Sequence, residues 1–445
     1  MGDTGKRMMR AVRQAGSSLR ACGRGIGRVV HWRVVVACAC LTIIWGGLLC
    51  SPSGCTPKSG TAGGQLEGQT IRVRIHPAVE QVSISAIQPP IYYTSVDSTQ
   101  RQLDLPGGVN VPIAYGSSGW MIGRTSLGPG NLMIRPIVDG SVRVNGRPYR
   151  GRFSLVPLDG GRFDVVNELD IDAYLKGVLA KEVLAGWHEE TYKAQAIVAR
   201  TYALYEKLVP RQRPRHWDVY ADTRSQVYGG MDAESAKSRQ AVDTTAGIVL
   251  VAGPSGQERI FKAYFHSCCG GITQSSMHAF NDGYEEALSE QYVGSLCSAS
   301  PKFAWGPVVV MKEELTRRLK KWGEGRQGVT RDIATVRSVD IEMRNRYGRP
   351  VRFAVTDARG MRYSLGAEEM RWAVNTDAWP ETVLNSSFVE SIINDSDRVR
   401  FLGGHGWGHG VGMCQWCAES RAQAGMRHED IVTLAYPQAR LMRAY

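Results

Sequence analysis

Residues 167–208 read NELDIDAYLKGVLAKEVLAGWHEETYKAQAIVARTYALYEKL, and this stretch decides the fold class. Ile171, Tyr174, Leu175, Val178, Leu179 and Val183 recur at steps of three and four, the signature of one buried helix face. Glu168, Asp170 and Asp172 precede or open that helix as caps and dipole partners. Glu182 follows Val178 by four positions and Leu175 by seven, on or beside the apolar face. A carboxyl there loses hydration, which favours its protonated form and raises its pKa toward the range of a general acid. The competing reading is a solvated glutamate at a frayed helix end. A second helix begins in WHEETYKAQ, with acids in its first turn. Its stripe is Ala194, Ile197, Val198, Thr201, Tyr205 and Leu208, and the small Ala194, Ala196 and Ala199 admit a close neighbouring backbone.

On both sides of this helical pair the pattern changes to strands. IRVRI, VSISAI, SVRVNG, RFSLV and RFDVV come before it, and GIVLVAG, RIFKAYF, VRFAVTD and MRYSL after it, each bounded by turn residues. A helix-like stretch from about 419 to 435 closes the chain. The expected fold is α+β, largely antiparallel β with a central helical pair carrying Glu182.

The 445 residues are 43% hydrophobic and 22% charged, an ordinary globular composition. The formal charge of +12 points toward nucleic acid, but the first 33 residues hold eight Lys/Arg against one acid, so more than half of that charge is in the leader. Without a basic stripe elsewhere, a nucleic-acid partner is not expected. Residues 34–50 (VVVACACLTIIWGGLLC) carry no charge and read as a signal or membrane-anchor segment, with the remainder exported. Ser53-Gly54-Cys55 is similar to the end of a bacterial lipobox, so lipidation, an uncleaved anchor and simple secretion all stay open. Residues 51–69 read as a flexible linker and 70–139 as an N-terminal β-rich region.

The ordered segments VVNELDIDAYLKGVLAKEV, KAQAIVARTYAL, ADTRSQVYGG, AYFHSCCGG and FLGGHGWGHGVGMCQW together resemble the SpoIID/LytB family of bacterial cell-envelope proteins, over about residues 140–445. The resemblance implies a peptidoglycan lytic transglycosylase, which cleaves the bond between N-acetylmuramic acid and N-acetylglucosamine and leaves a 1,6-anhydro end. It places the catalytic role on Glu182, acting as acid and then base without a second carboxylate or a cofactor. It also implies a groove for a glycan strand beside Glu182, with Gln195, Tyr202, Gln226, Trp407 and His409 as glycan contacts. Arg200 either holds a muramic carboxylate or pairs with an acid inside the fold. The LytB side of the family implies a different activity, a non-catalytic glycan binder that enhances a cell-wall amidase. Where the family usually has Pro after the Trp opening the second helix, this chain has His188. Where the family usually reads GMSQWG, it has Cys414 and Cys417.

His266, Cys269 and Cys297 cluster ligand types that zinc prefers, and a structural zinc site and a Cys269–Cys297 disulfide both remain open. Cys414-x-x-Cys417 has the spacing of a redox pair, but it follows a glycine run and is expected to lack the strand-to-helix setting of such pairs. Residues 403–412 (GGHGWGHGVG) hold six glycines, a density that lets backbone approach a ligand or another segment closely. They match no nucleotide-binding pattern.

Overall fold

The computed structural model describes residues 69–137, 140–209, 214–326 and 328–445. The basic leader, the apolar run, Cys55 and all of the linker except Gln69 lie outside the described residues. Among those described, no helix is long and apolar enough to cross a membrane. Among the described residues, eight α-helices and several mainly antiparallel sheets make the fold α+β. The helices are α1 (Ile171–Glu182), α2 (Glu189–Leu208), α3 (Ala236–Thr244), α4 (Ser276–Phe280), α5 (Lys312–Glu324), α6 (Ala367–Val374), α7 (Gln415–Gln423) and α8 (His428–Ala435).

The strand Phe163–Asp170 leads directly into α1, and Asp170 caps the helix by accepting from the Ala173 N–H at 3.0 Å. That strand belongs to a seven-stranded sheet running Val219–Tyr220, Thr70–Val79, Phe163–Asp170, Arg152–Pro157, Leu132–Arg135, Ile91–Thr94 and Arg101–Gln102. Strands from both sides of residue 140 share this sheet, so the expected boundary there is not a break in hydrogen bonding. After Val183, which is extended, the chain turns, and His188 caps α2 with Nδ1 accepting from the Glu190 N–H at 3.2 Å.

The expected single apolar stripe on α2 understates its burial. Thr191, Tyr192 and every residue from Ala194 to Leu204 are buried, because α2 lies between two cores. Tyr192, Ala196, Ala199, Ala203 and Leu204 pack into the core that holds α1 and the seven-stranded sheet. Ala194, Ile197 and Val198 pack into a second core with Ile431 and Val432 of α8. Ile197, Val198 and Leu204, fully buried, each contribute about 1.5–3 kcal/mol, and Leu204→Ala would cost roughly 2–5 kcal/mol.

A third core has α5, α6 and the strands Val336–Arg344, Pro350–Asp357 and Arg398–His405. The two helices here are absent from the sequence reading, which took the region as β. The closing stretch is two helices, α7 and α8, and starts earlier than expected. RIFKAYF is also interrupted: only Arg259–Ile260 and Phe265–His266 are strand.

Candidate active site

Glu182 is the last residue of α1 and is half-buried. Its Oε1 accepts from the Val227 N–H at 3.0 Å, and no cation pairs with it among the described residues. Burial pushes its carboxyl above the ordinary glutamate value, while the Val227 N–H acts in the opposite direction. A carboxylate in this position also faces the negative end of the helix dipole. The Val227 segment is itself held in place: Gly229 donates to the Gly177 carbonyl at 3.2 Å and the Tyr228 hydroxyl to Asn167 at 3.2 Å. The Glu182 carbonyl accepts from Gln415 Nε2 of α7 at 3.1 Å, and the same amide reaches Gln195 Oε1 at 3.4 Å.

The acids around the start of α1 act as caps and ion pairs. Asp170 is the cap, Glu168 pairs with Arg152, and Asp172 pairs with Arg200 at 2.6 Å. Arg200 is fully buried and also donates to the Ile248 carbonyl at 3.1 Å, so it makes the internal pair of the two alternatives. Gln195 and Gln226 are fully buried as well. Gln226 accepts from the Tyr174 hydroxyl at 3.2 Å and donates to the Ala199 carbonyl at 3.4 Å. All three side chains are closed off from solvent. Tyr202 is 6% exposed, its ring 6.4 Å from that of Tyr264 with Lys262 Nζ 5.5 Å above it.

Residues 403–412 pack closely against the segment around residues 264–271. Gly406 has φ of 77°, and a Cβ there would lie 2.6 Å from the Cys268 carbonyl oxygen; at Gly412 a Cβ would lie 2.0 Å from the Tyr264 carbonyl oxygen. Between them, the Trp407 backbone exchanges two hydrogen bonds with Cys268, at 2.7 and 3.0 Å, while its indole is 49% exposed. His409 is half-buried beside Tyr264, Phe280 and His266. Burial first and Arg371 second bring its pKa down to about 3, so it is neutral. Its Nδ1 accepts from the Val411 N–H at 3.0 Å. The route from this loop to Glu182 runs through Met413 and Cys414 to Gln415. A cavity of about 320 Å³ lined by Tyr92, Gln102, Asp104, Pro106, Val111 and Arg124 lies in the N-terminal β region and contains none of these residues.

The cysteines gather differently from the expected His266–Cys269–Cys297 set. The Sγ atoms of Cys269, Cys297, Cys414 and Cys417 all lie within 4.8 Å of one another, and all four residues are buried. The five described cysteines are free thiols. His266 is outside the group of four; its Nδ1 is 3.0 Å from the Val411 carbonyl, and burial lowers its pKa. The Cys414-x-x-Cys417 pair does have a strand-to-helix setting: the short strand Met413–Cys414 runs directly into α7, and Cys414 Sγ caps the helix by accepting from the Cys417 N–H. A two-residue strand leaves no periodic trace in a sequence, which is why this setting was missed. Glu190, His428 and Glu429 also converge, but Glu190 is engaged by Lys193 at 2.6 Å and by the His428 N–H at 2.8 Å.

Parts of the chain are similar to known proteins. Residues 159–251, which include α1, α2 and the Val227 segment, match the family described as SpoIID, Stage II sporulation protein. An uncharacterized protein of Brachyspira hyodysenteriae is 28% identical over 302 residues, covering 66% of this chain and 72% of that protein. The amidase enhancer of Bacillus subtilis is 26% identical over 297 residues, 59% of this chain and 39% of its own length. An uncharacterized protein of Chlamydia pneumoniae is 35% identical over 126 residues, 28% of this chain and 46% of its own length. The last two matches therefore span less than half of those relatives. With α1, α2 and the Val227 segment all inside the matched stretch, residues 159–251 are a SpoIID-family segment, and the chain around them is similar to the amidase enhancer of Bacillus subtilis.

Proposed function

We propose that this protein acts on the bacterial cell wall as a peptidoglycan lytic transglycosylase, with Glu182 as general acid and then general base. The observation that carries the reading is a half-buried carboxyl with no cationic partner among the described residues, fixed through one oxygen by the Val227 N–H. Protonated Glu182 gives its proton to the glycosidic oxygen as the bond to the muramic C1 breaks. The muramic C6 hydroxyl then closes on C1, its proton passes to the Glu182 carboxylate, and the acid is regenerated. Because no water attacks, one carboxyl serves both steps, unlike the pair that ordinary glycoside hydrolysis requires. The exposed Trp407 indole supplies a face on which a sugar ring can stack. The uncharged run at 34–50 after a basic leader supports action outside the cytoplasm.

Mass analysis of purified glycan strands after incubation with the protein tests this. The expected product is a 1,6-anhydromuramic end, absent with Glu182→Gln, which retains glycan binding. The Bacillus subtilis relative, named an amidase enhancer, supports a second reading. In that case the wild-type protein releases no anhydro ends but accelerates a cell-wall amidase on intact peptidoglycan.

A further inference from the structure

The geometry points to a structural zinc site formed by Cys269, Cys297, Cys414 and Cys417, which holds the start of α7 against the end of α1. Tetrahedral zinc with zinc–sulfur bonds of about 2.3 Å needs sulfur–sulfur edges of roughly 3.8 Å. Cys269 Sγ is 3.5 Å from Cys297 Sγ and 3.7 Å from Cys417 Sγ, and all four sulfurs lie within 4.8 Å of one another. That spacing suits one ion at the centre. A multi-iron cluster places several atoms between its cysteines and needs them farther apart.

The surroundings suit a thiolate site. The backbone N–H groups of Cys269 and Cys417 both point at Cys414 Sγ, at 3.4 and 3.3 Å, as donors that stabilise negative sulfur. The fully buried Arg349 guanidinium donates to the carbonyls of Cys269, at 3.2 Å, and Ile272, at 2.7 Å, placing a cation beside a site whose four thiolates outweigh the metal charge. Val293, Leu296, Phe303 and Trp416 pack around the sulfurs and keep water away.

The four ligands come from three segments far apart in sequence, so a bound ion cross-links them. Two of them, Cys414 and Cys417, bracket the first turn of α7. From that turn Gln415 bonds the Glu182 carbonyl, and Trp416 packs edge-on to Trp187 at 5.0 Å between ring centres. Glu419, one turn further, accepts from Thr191 Oγ1 at 2.7 Å at the start of α2. The ion therefore positions the α1–α2 corner and does not touch substrate. The assignment does not depend on Glu182 being catalytic.

The test is zinc content by mass spectrometry on the full chain purified under reducing conditions, with thiol counting before and after chelation. We expect one zinc per chain, with four thiols becoming reactive only when the zinc is removed. Cys→Ser at 269, 297, 414 or 417 should reduce the metal to background. Cys268→Ser, at an equally buried neighbour outside the four, should keep it, which separates ligand loss from misfolding. Cobalt in place of zinc should give the absorption of a tetrahedral four-thiolate site. Metal-free wild-type protein, zinc loss in Cys268→Ser, or a disulfide among the four after purification without reductant would each overturn the assignment. Glu182→Gln should retain full zinc, so failure of the catalytic reading leaves this result unaffected.

Discussion

Gln415 Nε2 donates to the backbone carbonyl of Glu182 at 3.1 Å, so the first residue of α7 holds the last residue of α1. The free carbonyls at a helix C-terminus need partners, and this one sits on the residue assigned to chemistry. Gln415→Ala removes the bond without touching the Glu182 carboxyl. A neutral hydrogen bond contributes about 1 kcal/mol, so kcat on glycan strands should fall roughly fivefold. Because Gln415 is a positioning residue, KM should stay unchanged. A loss confined to KM would assign it to substrate binding.

The raised pKa of Glu182 predicts a pH dependence of stability that its Gln variant lacks. In the folded state this carboxyl holds its proton above the ordinary glutamate range, so the folded protein binds more protons than the unfolded chain in that window. Stability should therefore fall as pH rises from the ordinary glutamate value through the folded one. Glu182→Gln has no charge to bury. Its Tm should match the wild type at low pH and exceed it above the window, as thermal melts across pH would show. Activity in the acid step should decline over the same rise, since only the protonated form can donate.

Arg200 predicts a stability defect where a substrate contact would give a binding defect. Its guanidinium is fully buried against Asp172, with the Ile248 carbonyl taking a further bond. Arg200→Met leaves a partly buried carboxylate without its cation, a change that costs about 3–5 kcal/mol. Urea unfolding should show that loss at neutral pH. Asp172→Asn combined with Arg200→Met should recover part of it, because the stranded charge is then gone.

The helical pair was readable because one face repeats at three and four and because Asp170 and the acids at 189 and 190 mark the two starts. The polar positions inside α2 were not. Periodicity assigns one buried face, whereas Gln195 and Arg200 are enclosed because a second core closes over the opposite side. α5 was legible in retrospect: Leu315, Leu319 and Trp322 recur at four and three behind Glu313 and Glu314, but the surrounding strand patterns drew the reading to β. The sulfur site could not be assembled from spacing, since Cys269 and Cys414 are 145 positions apart and are brought together by tertiary contacts such as the parallel pairing of Phe265–His266 with Met413–Cys414.

Trp407 and Gly406 are adjacent yet predict separable outcomes. The Trp407 backbone is held on both sides by Cys268 while its indole stands in solvent, so Trp407→Ala should leave Tm within the small range of surface substitutions, about 0.5 kcal/mol. If the indole stacks on a sugar, glycan affinity should fall about tenfold, the equivalent of roughly 1.4 kcal/mol. Gly406→Ala acts on the backbone instead. Its φ of 77° strains any side chain, and the new Cβ would meet the Cys268 carbonyl at 2.6 Å. The loop must then lift from the segment that carries Cys269, so Gly406→Ala should lower Tm and glycan affinity together. Calorimetric titration with glycan strands alongside thermal melts of both variants separates the two. An unchanged affinity in Trp407→Ala would remove this loop from the glycan site and leave it a packing element.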